Sequence, residues 1–164
     1  MSSPDRRTLL LSGLGFGLAA CGFTPAYAPN GPAAGLQGTI RLAEPSDKNA
    51  FDFVERMEER LGKPKEARYD LTYRITTTVE SVGLQTDNTY TRYSIIGTID
   101  WGVIDHATGE RVTGGVARNF TSYSATGSTV AGLSAEEDAG YRLMRMLADQ
   151  IVTQLVGTAS RWAP

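Results

Sequence analysis

The sequence is poor in the residues that most often carry out chemistry. Its 164 residues include one cysteine, Cys21, and one histidine, His106. A single cysteine cannot form a disulfide within the chain, and in an exported protein it indicates a modified or intermolecular thiol. The H-E-x-x-H, phosphate-loop and G-x-S-x-G motifs are absent. We therefore expect no enzymatic activity, no catalytic residue and no metal site.

Excess positive charge and long apolar runs are also missing. The net charge is −2, which argues against a nucleic-acid partner, because such proteins usually carry a basic patch. The apolar run at residues 8–18 is shorter than the roughly 20 residues that span a bilayer. His106 lies in the turn sequence Asp105-His106-Ala107-Thr108-Gly109, so we expect it to be exposed.

Residues 1–20 have the layout of a cleavable signal peptide. Arg6 and Arg7 precede the apolar run, and small residues follow it. Leu18-Ala19-Ala20-Cys21 resembles the lipobox of bacterial lipoproteins, which implies a covalent lipid on Cys21 and no other cofactor. The alternative is an ordinary N-terminal helix with a buried cysteine. The arginine pair leaves both the general and the twin-arginine export routes open.

Residues 21–35 are predicted to be the lipidated N terminus and a tether, since they are rich in proline and glycine. One domain is expected over residues 36–160. It begins with a strand at 36–42, followed by a helix with Ser46 as N-cap and a stop at Gly62. Its apolar positions follow helical spacing: Ala50, Phe53, Val54, Met57 and Leu61. Its glutamates alternate with arginines, which favours a solvated face over a metal site.

Three long strands with alternating polarity follow the helix. The first and second carry apolar residues on one parity: Tyr69, Leu71, Tyr73 and Ile75, then Tyr93, Ile95, Ile99, Trp101 and Val103. A turn is predicted at 83–89. In the third strand the corresponding apolar set is Val112, Val116 and Phe120. A polar loop is expected at 124–132.

The last predicted element is an amphipathic helix. Ser134 and Glu137 fit a capping box at its start. Apolar residues then repeat every four positions: Leu143, Leu147, Ile151 and Leu155. Arg161-Trp162 is expected to lie beyond the helix, and the sequence leaves open whether the pair is ordered.

The resulting order, β-α-β-β-β-α, predicts an α+β fold. Hairpin connections make the sheet mostly antiparallel, and two helices on one face give a two-layer sandwich. The opposite face would carry threonines, serines and several arginines: Arg68, Arg74, Arg92 and Arg111.

Two segments resemble the LPS-assembly lipoprotein family LptE in its alphaproteobacterial form. Cys21-Gly22-Phe23-Thr24-Pro25-Ala26-Tyr27 is similar to the family's C-G-F-x-P-x-Y, and Ala135-Glu136-Glu137-Asp138-Ala139 to the A-E-x-D-A start of its final helix. The element order matches as well, so the resemblance covers nearly the whole chain. The three long strands match by pattern alone.

The resemblance implies a non-enzymatic protein on the periplasmic side of the outer membrane. Such a protein lies inside the LptD barrel, supports its assembly, plugs its pore and contacts lipopolysaccharide. Arg74 and Arg92 are the candidates for contact with lipid A phosphates, since guanidinium binds phosphate through two parallel hydrogen bonds. The alternative is a generic lipid-anchored envelope binding module that recognises a small ligand or peptidoglycan.

Overall fold

A computed structural model describes residues 25–29, 31, 33–84, 90–125 and 128–163. The elements are β1 (Ile40–Leu42), α1 (Lys48–Leu61), β2 (Tyr69–Leu84), β3 (Tyr90–Asp105), β4 (Arg111–Ser124) and α2 (Thr129–Trp162). This order confirms the predicted β-α-β-β-β-α arrangement. The signal peptide, Cys21 and most of the turn predicted at residues 83–89 lie outside the described ranges.

The four strands form one mixed sheet in the order β1-β2-β3-β4. β1 pairs with β2 in parallel, while the β2–β3 and β3–β4 pairs are antiparallel. The core lies between one face of this sheet and the two helices, which confirms the two-layer α+β fold. The first strand is shorter than predicted. Residues 33–39 form turns, and within the predicted tether Ala33 is fully buried in the core.

Helix α1 covers the inner face near β1. Its N-cap is Asp47, not the predicted Ser46, because the Asp47 carboxylate accepts the Ala50 N–H at 3.0 Å. The helix ends as predicted at Gly62, which has a φ of 76°. Phe53 packs on Tyr73 with ring centroids 4.9 Å apart, which joins the helix to β2.

Helix α2 is longer at both ends than the sequence suggested. Ser128 is the N-cap, and its hydroxyl accepts the Ala131 N–H at 3.3 Å. The capping box predicted at Ser134 is therefore wrong, since that residue lies inside the helix. The expectation that Arg161-Trp162 lies beyond the helix is also wrong, since both residues belong to α2. The Trp162 ring is buried, packs edge-on against Tyr69 at 5.1 Å, and donates its indole N–H to Thr158 Oγ1.

Charged residues join the two helices. Arg56 of α1 donates to both carboxylate oxygens of Asp149 in α2 at 3.0 and 2.9 Å. Glu59 accepts from Arg56 at 2.8 Å and lies 3.2 Å from Arg145. The hydrogen bond from Arg56, followed by that from Arg145, lowers the pKa of Glu59. The charged side of α1, predicted to be a solvated face, is thus partly an ion-pair contact with α2.

A second ion-pair cluster joins β1, β2 and the β3–β4 turn. Asp70 Oδ1 accepts from Arg41 Nε at 2.7 Å, and Asp70 Oδ2 lies 3.0 Å from His106 Nδ1. The Arg41 hydrogen bond, assisted by His106, lowers the pKa of Asp70 although partial burial opposes it. A carboxylate of this kind stabilises the fold above its unfolded-state pKa, and the contribution disappears as pH falls through the folded-state pKa.

The Asp70→Asn substitution should expose this pH dependence. We expect it to lower the free energy of unfolding by about 1 kcal/mol near neutral pH. The difference from wild type should shrink as pH falls below about 4, where the carboxyl of the unfolded chain takes up a proton. It should vanish once the pH is below the lowered pKa of Asp70 in the folded state. Urea unfolding at stepped pH measures both quantities. Asp100→Asn is the matched control, because Asp100 makes no ion pair with any described residue. A difference in the free energy of unfolding that stays constant down to acidic pH would contradict this explanation.

Candidate functional surface

The outer face of the sheet is the candidate functional surface, since both helices pack on the other side. Cross-strand register places the even-numbered residues of β2 and β3 on this face, together with those of β4 from Gly114 onward. Many carry hydroxyl groups: Thr72, Thr76, Thr78, Ser94, Thr98 and Ser122. Side chains of this kind hydrogen-bond water or a polar partner without bringing net charge.

Both predicted arginines lie on this outer face and are exposed. Arg74 is opposite Asp100, and Arg92 is opposite Val82 and Ser124. Eight residues of β3 separate the two positions, which corresponds to about 26 Å along the strand. Arg74 and Arg92 therefore share a surface but cannot hold one phosphate group together. Arg118, which the sequence reasoning did not select, is exposed on the same face opposite Thr98.

An apolar strip on β4 was missed from the sequence. Val116 and Phe120 were predicted to share the buried face with Val112, but they are 54% and 64% exposed. The β3–β4 register shifts between Val103 and Ile104, which moves the later residues of β4 to the other face. The buried positions are instead Ala117 and Thr121, whose hydroxyl donates to the Ala139 carbonyl at 2.9 Å.

The same outer face contains a shallow hollow of about 480 Å³. Its floor is formed by two glycines, Gly102 and Gly114, across which the Arg111 side chain lies. Arg111 donates to the Trp101 carbonyl at 3.0 Å, so this guanidinium is engaged with the backbone. Arg74 lines the hollow and makes no ion pair with any described residue. Its guanidinium is the cation that an anionic ligand would meet there.

Other possible chemistry is limited in the part of the chain that the structure describes. No group of three or more histidine, cysteine, aspartate or glutamate side chains in these residues is arranged to hold a metal ion. No described helix is both long enough and apolar enough to cross a membrane. His106 lies in the β3–β4 turn with a side chain that is 59% exposed, as predicted.

The chain is similar to one family and to several solved structures. The LptE lipopolysaccharide-assembly family model matches residues 38–155. None of the curated proteins matches the sequence. A protein from Caulobacter crescentus described as a lipoprotein has a similar structure, with a TM-score of 0.64 and 18% identity. The similarity covers 79% of this chain and 96% of that one.

Two further structures share the fold. The rare lipoprotein B of Shewanella oneidensis has a TM-score of 0.57 and 14% identity, over 73% of this chain and 93% of that one. A minor lipoprotein of Acinetobacter baumannii has a TM-score of 0.55 and 15% identity, over 73% and 90%. At these identities the likeness establishes the fold.

Proposed function

Because the chain belongs to the LptE lipopolysaccharide-assembly family, we propose that it is an outer-membrane lipoprotein that assembles with and plugs the LptD β-barrel. In that position it assists the transport of lipopolysaccharide to the outer-membrane surface. The family match carries this proposal, since it spans all four strands and most of both helices.

The outer face of the sheet suits a barrel lumen. The interior wall of a large outer-membrane barrel is polar and hydrated. Hydroxyl groups can hydrogen-bond the polar groups of such a wall directly or through water. The helices already bury their apolar sides against the inner face of the sheet. The outer face is therefore the surface we assign to the barrel and its cargo.

The arginines and the apolar strip suit lipopolysaccharide in different ways. Arg74 and Arg92 present exposed guanidinium groups that can bind phosphate. Because the two residues lie far apart, each would bind a different anionic group. Phe120 lies between these two positions along the strands, Val116 lies level with Arg74, and both provide apolar contact for an acyl chain. A surface with both kinds of group fits an amphipathic lipid better than a small polar ligand.

The anchor completes the proposal. Lipidation of Cys21 with two or more acyl chains would hold the domain stably at the membrane, whereas one short chain is marginal. Gly22, in place of aspartate, is compatible with sorting to the outer membrane. The anchored domain would then lie on the periplasmic side of the outer membrane.

Lipopolysaccharide binding tests the surface directly. Arg74→Ala and Arg92→Ala should each weaken binding of purified lipopolysaccharide by about tenfold at low salt, because each removes a charge-assisted contact with phosphate. The loss should diminish as salt is raised. Fluorescence titration of the detergent-solubilised chain gives both values.

Arg142→Ala is the control for these two variants. Arg142 is also exposed, but it lies on α2 and pairs with Asp138 at 2.9 Å, away from the outer face of the sheet. It should bind lipopolysaccharide as the wild type does. Equal losses in all three variants would show a non-specific charge effect and would contradict the assigned surface.

A further inference from the structure

One edge of the sheet is left without a neighbouring strand in the described chain. β1 pairs with β2 only from Tyr69 to Leu71, whereas β2 continues to Leu84. The Leu71 carbonyl accepts the Ala43 N–H, so the odd-numbered residues of β2 direct their backbone groups toward this edge. Past the end of β1, five residues extend that pattern: Tyr73, Ile75, Thr77, Val79 and Ser81. Such a row of backbone groups is a template for another strand.

The opposite edge of the sheet is less available. The even-numbered residues of β4 point their backbone groups away from β3. One of these groups, the Phe120 N–H, is already bonded to the Asn119 side chain at 2.9 Å. The β2 edge is therefore the better template for strand addition.

We propose that two copies of this chain pair antiparallel along β2, with Thr77 opposite Thr77 of the second copy. In this register Arg74 lies opposite Glu80 of the second copy, and Glu80 opposite the second copy's Arg74. Neither side chain makes an ion pair with a described residue of its own chain. Opposite charges across an antiparallel strand pair stabilise it, and like charges destabilise it.

The charges select a single register. A shift of two residues moves Arg74 opposite Thr78 or Val82 of the second copy, and both ion pairs are lost. In the centred register the even-numbered residues form the closer, non-hydrogen-bonded pairs, in which Cα atoms are about 4.5 Å apart. On the other face Val79, 49% exposed in one copy, meets Ile75 of the second. The product is a continuous two-fold sheet in which the open edge is covered.

The pairing stands apart from the proposed function, because it concerns two copies of the chain and requires no barrel. The two uses of Arg74 exclude each other, since a guanidinium bound to Glu80 of the second copy is not free for phosphate. Paired chains are then a form that does not carry lipopolysaccharide at this position.

Disulfide cross-linking of the full-length chain in membranes tests the register. Thr76→Cys in one tagged copy and Thr78→Cys in a differently tagged copy should form a heterodisulfide, since these positions face each other within bonding distance. Thr76→Cys alone should not cross-link, because the two copies of that position are more than about 7 Å apart. Ser122→Cys, on the opposite edge, and the chain without an added cysteine set the background.

Charge reversal tests the cause. Glu80→Arg should reduce the heterodisulfide about tenfold, because it places two arginine pairs face to face. Adding Arg74→Glu to the same chain should restore it to within about threefold. Thr77→Pro, which removes only an outward-pointing N–H, should abolish it. A yield at the Ser122→Cys background, no response to Glu80→Arg, or an adduct with a different protein would each overturn the proposal.

Discussion

Replacing Cys21 with alanine is expected to remove the chain from the outer-membrane fraction. The substitution deletes the only thiol that can receive a lipid, and no described helix is long and apolar enough to hold the protein in a bilayer. The signal peptide should also remain uncleaved, because processing at a lipobox requires the modified cysteine. Immunoblotting of fractionated cells should show a higher-mass precursor and little or no mature chain in the outer membrane.

Thr24→Ser serves as the matched control for this variant. It alters a residue three positions from the anchor without affecting the cysteine, so processing and membrane retention should match the wild type. Normal retention of a processed Cys21→Ala chain would refute the lipoprotein interpretation, and with it the anchored geometry proposed for the domain.

The Gly97→Val substitution should destabilise the domain by about 3 kcal/mol. A Cβ atom at this position would lie 2.8 Å from Leu147 Cδ1 and 3.0 Å from Leu143 Cδ2, closer than packed carbon atoms tolerate. Both leucines are fully buried in α2, so they cannot move aside without opening the core. Urea unfolding monitored by circular dichroism measures the loss.

The Gly157→Ala substitution in α2 is the control, because here an added Cβ has free space around it. No atom lies within 4 Å of a Cβ placed there, and the residue is exposed inside α2. Alanine should therefore stabilise the domain by about 0.5–1 kcal/mol through helix propensity alone.

A Gly97→Val protein as stable as the wild type would show that α2 does not pack on β3 as closely as described.

The parts of the fold that were predictable have a local cause. Alternation along β2 and β3 assigned Tyr69, Leu71, Ile99 and Trp101 to the inner face, and all four are buried. Alternation failed on β4 because a register shift near Val103 reverses the parity of Val116 and Phe120. The adjacent pair Gly114-Gly115 was the one available signal, since glycine in a strand often marks a bulge.

The predictions of where the helices begin and end were also partly wrong. Ser46 and Asp47 are both good N-caps, and Ser128 competes with Ser134, so sequence alone does not decide between them. Trp162 is helical because it packs against Tyr69, a contact between residues far apart in the chain.

For the candidate surface, the sequence predicted which side of the sheet carries the arginines but not how they are arranged there. The parity of Arg74 and Arg92 placed both on the outer side correctly, but their separation depends on how the strands pair. The exposed Phe120 beside Arg118 depends on the same β4 register shift. These features follow from tertiary structure, and no local pattern contains them.

Affinity purification from solubilised outer membranes shows whether the chain resides in a large β-barrel. A tag on the C terminus of the full-length chain, followed by mass analysis of what is recovered, identifies its stable partner. We predict that a large β-barrel protein is recovered with the chain in near-equimolar amount. Replacing Cys21 should remove both the chain and the barrel protein from the purified material. Recovery of the processed, membrane-bound chain without any large barrel protein would contradict it.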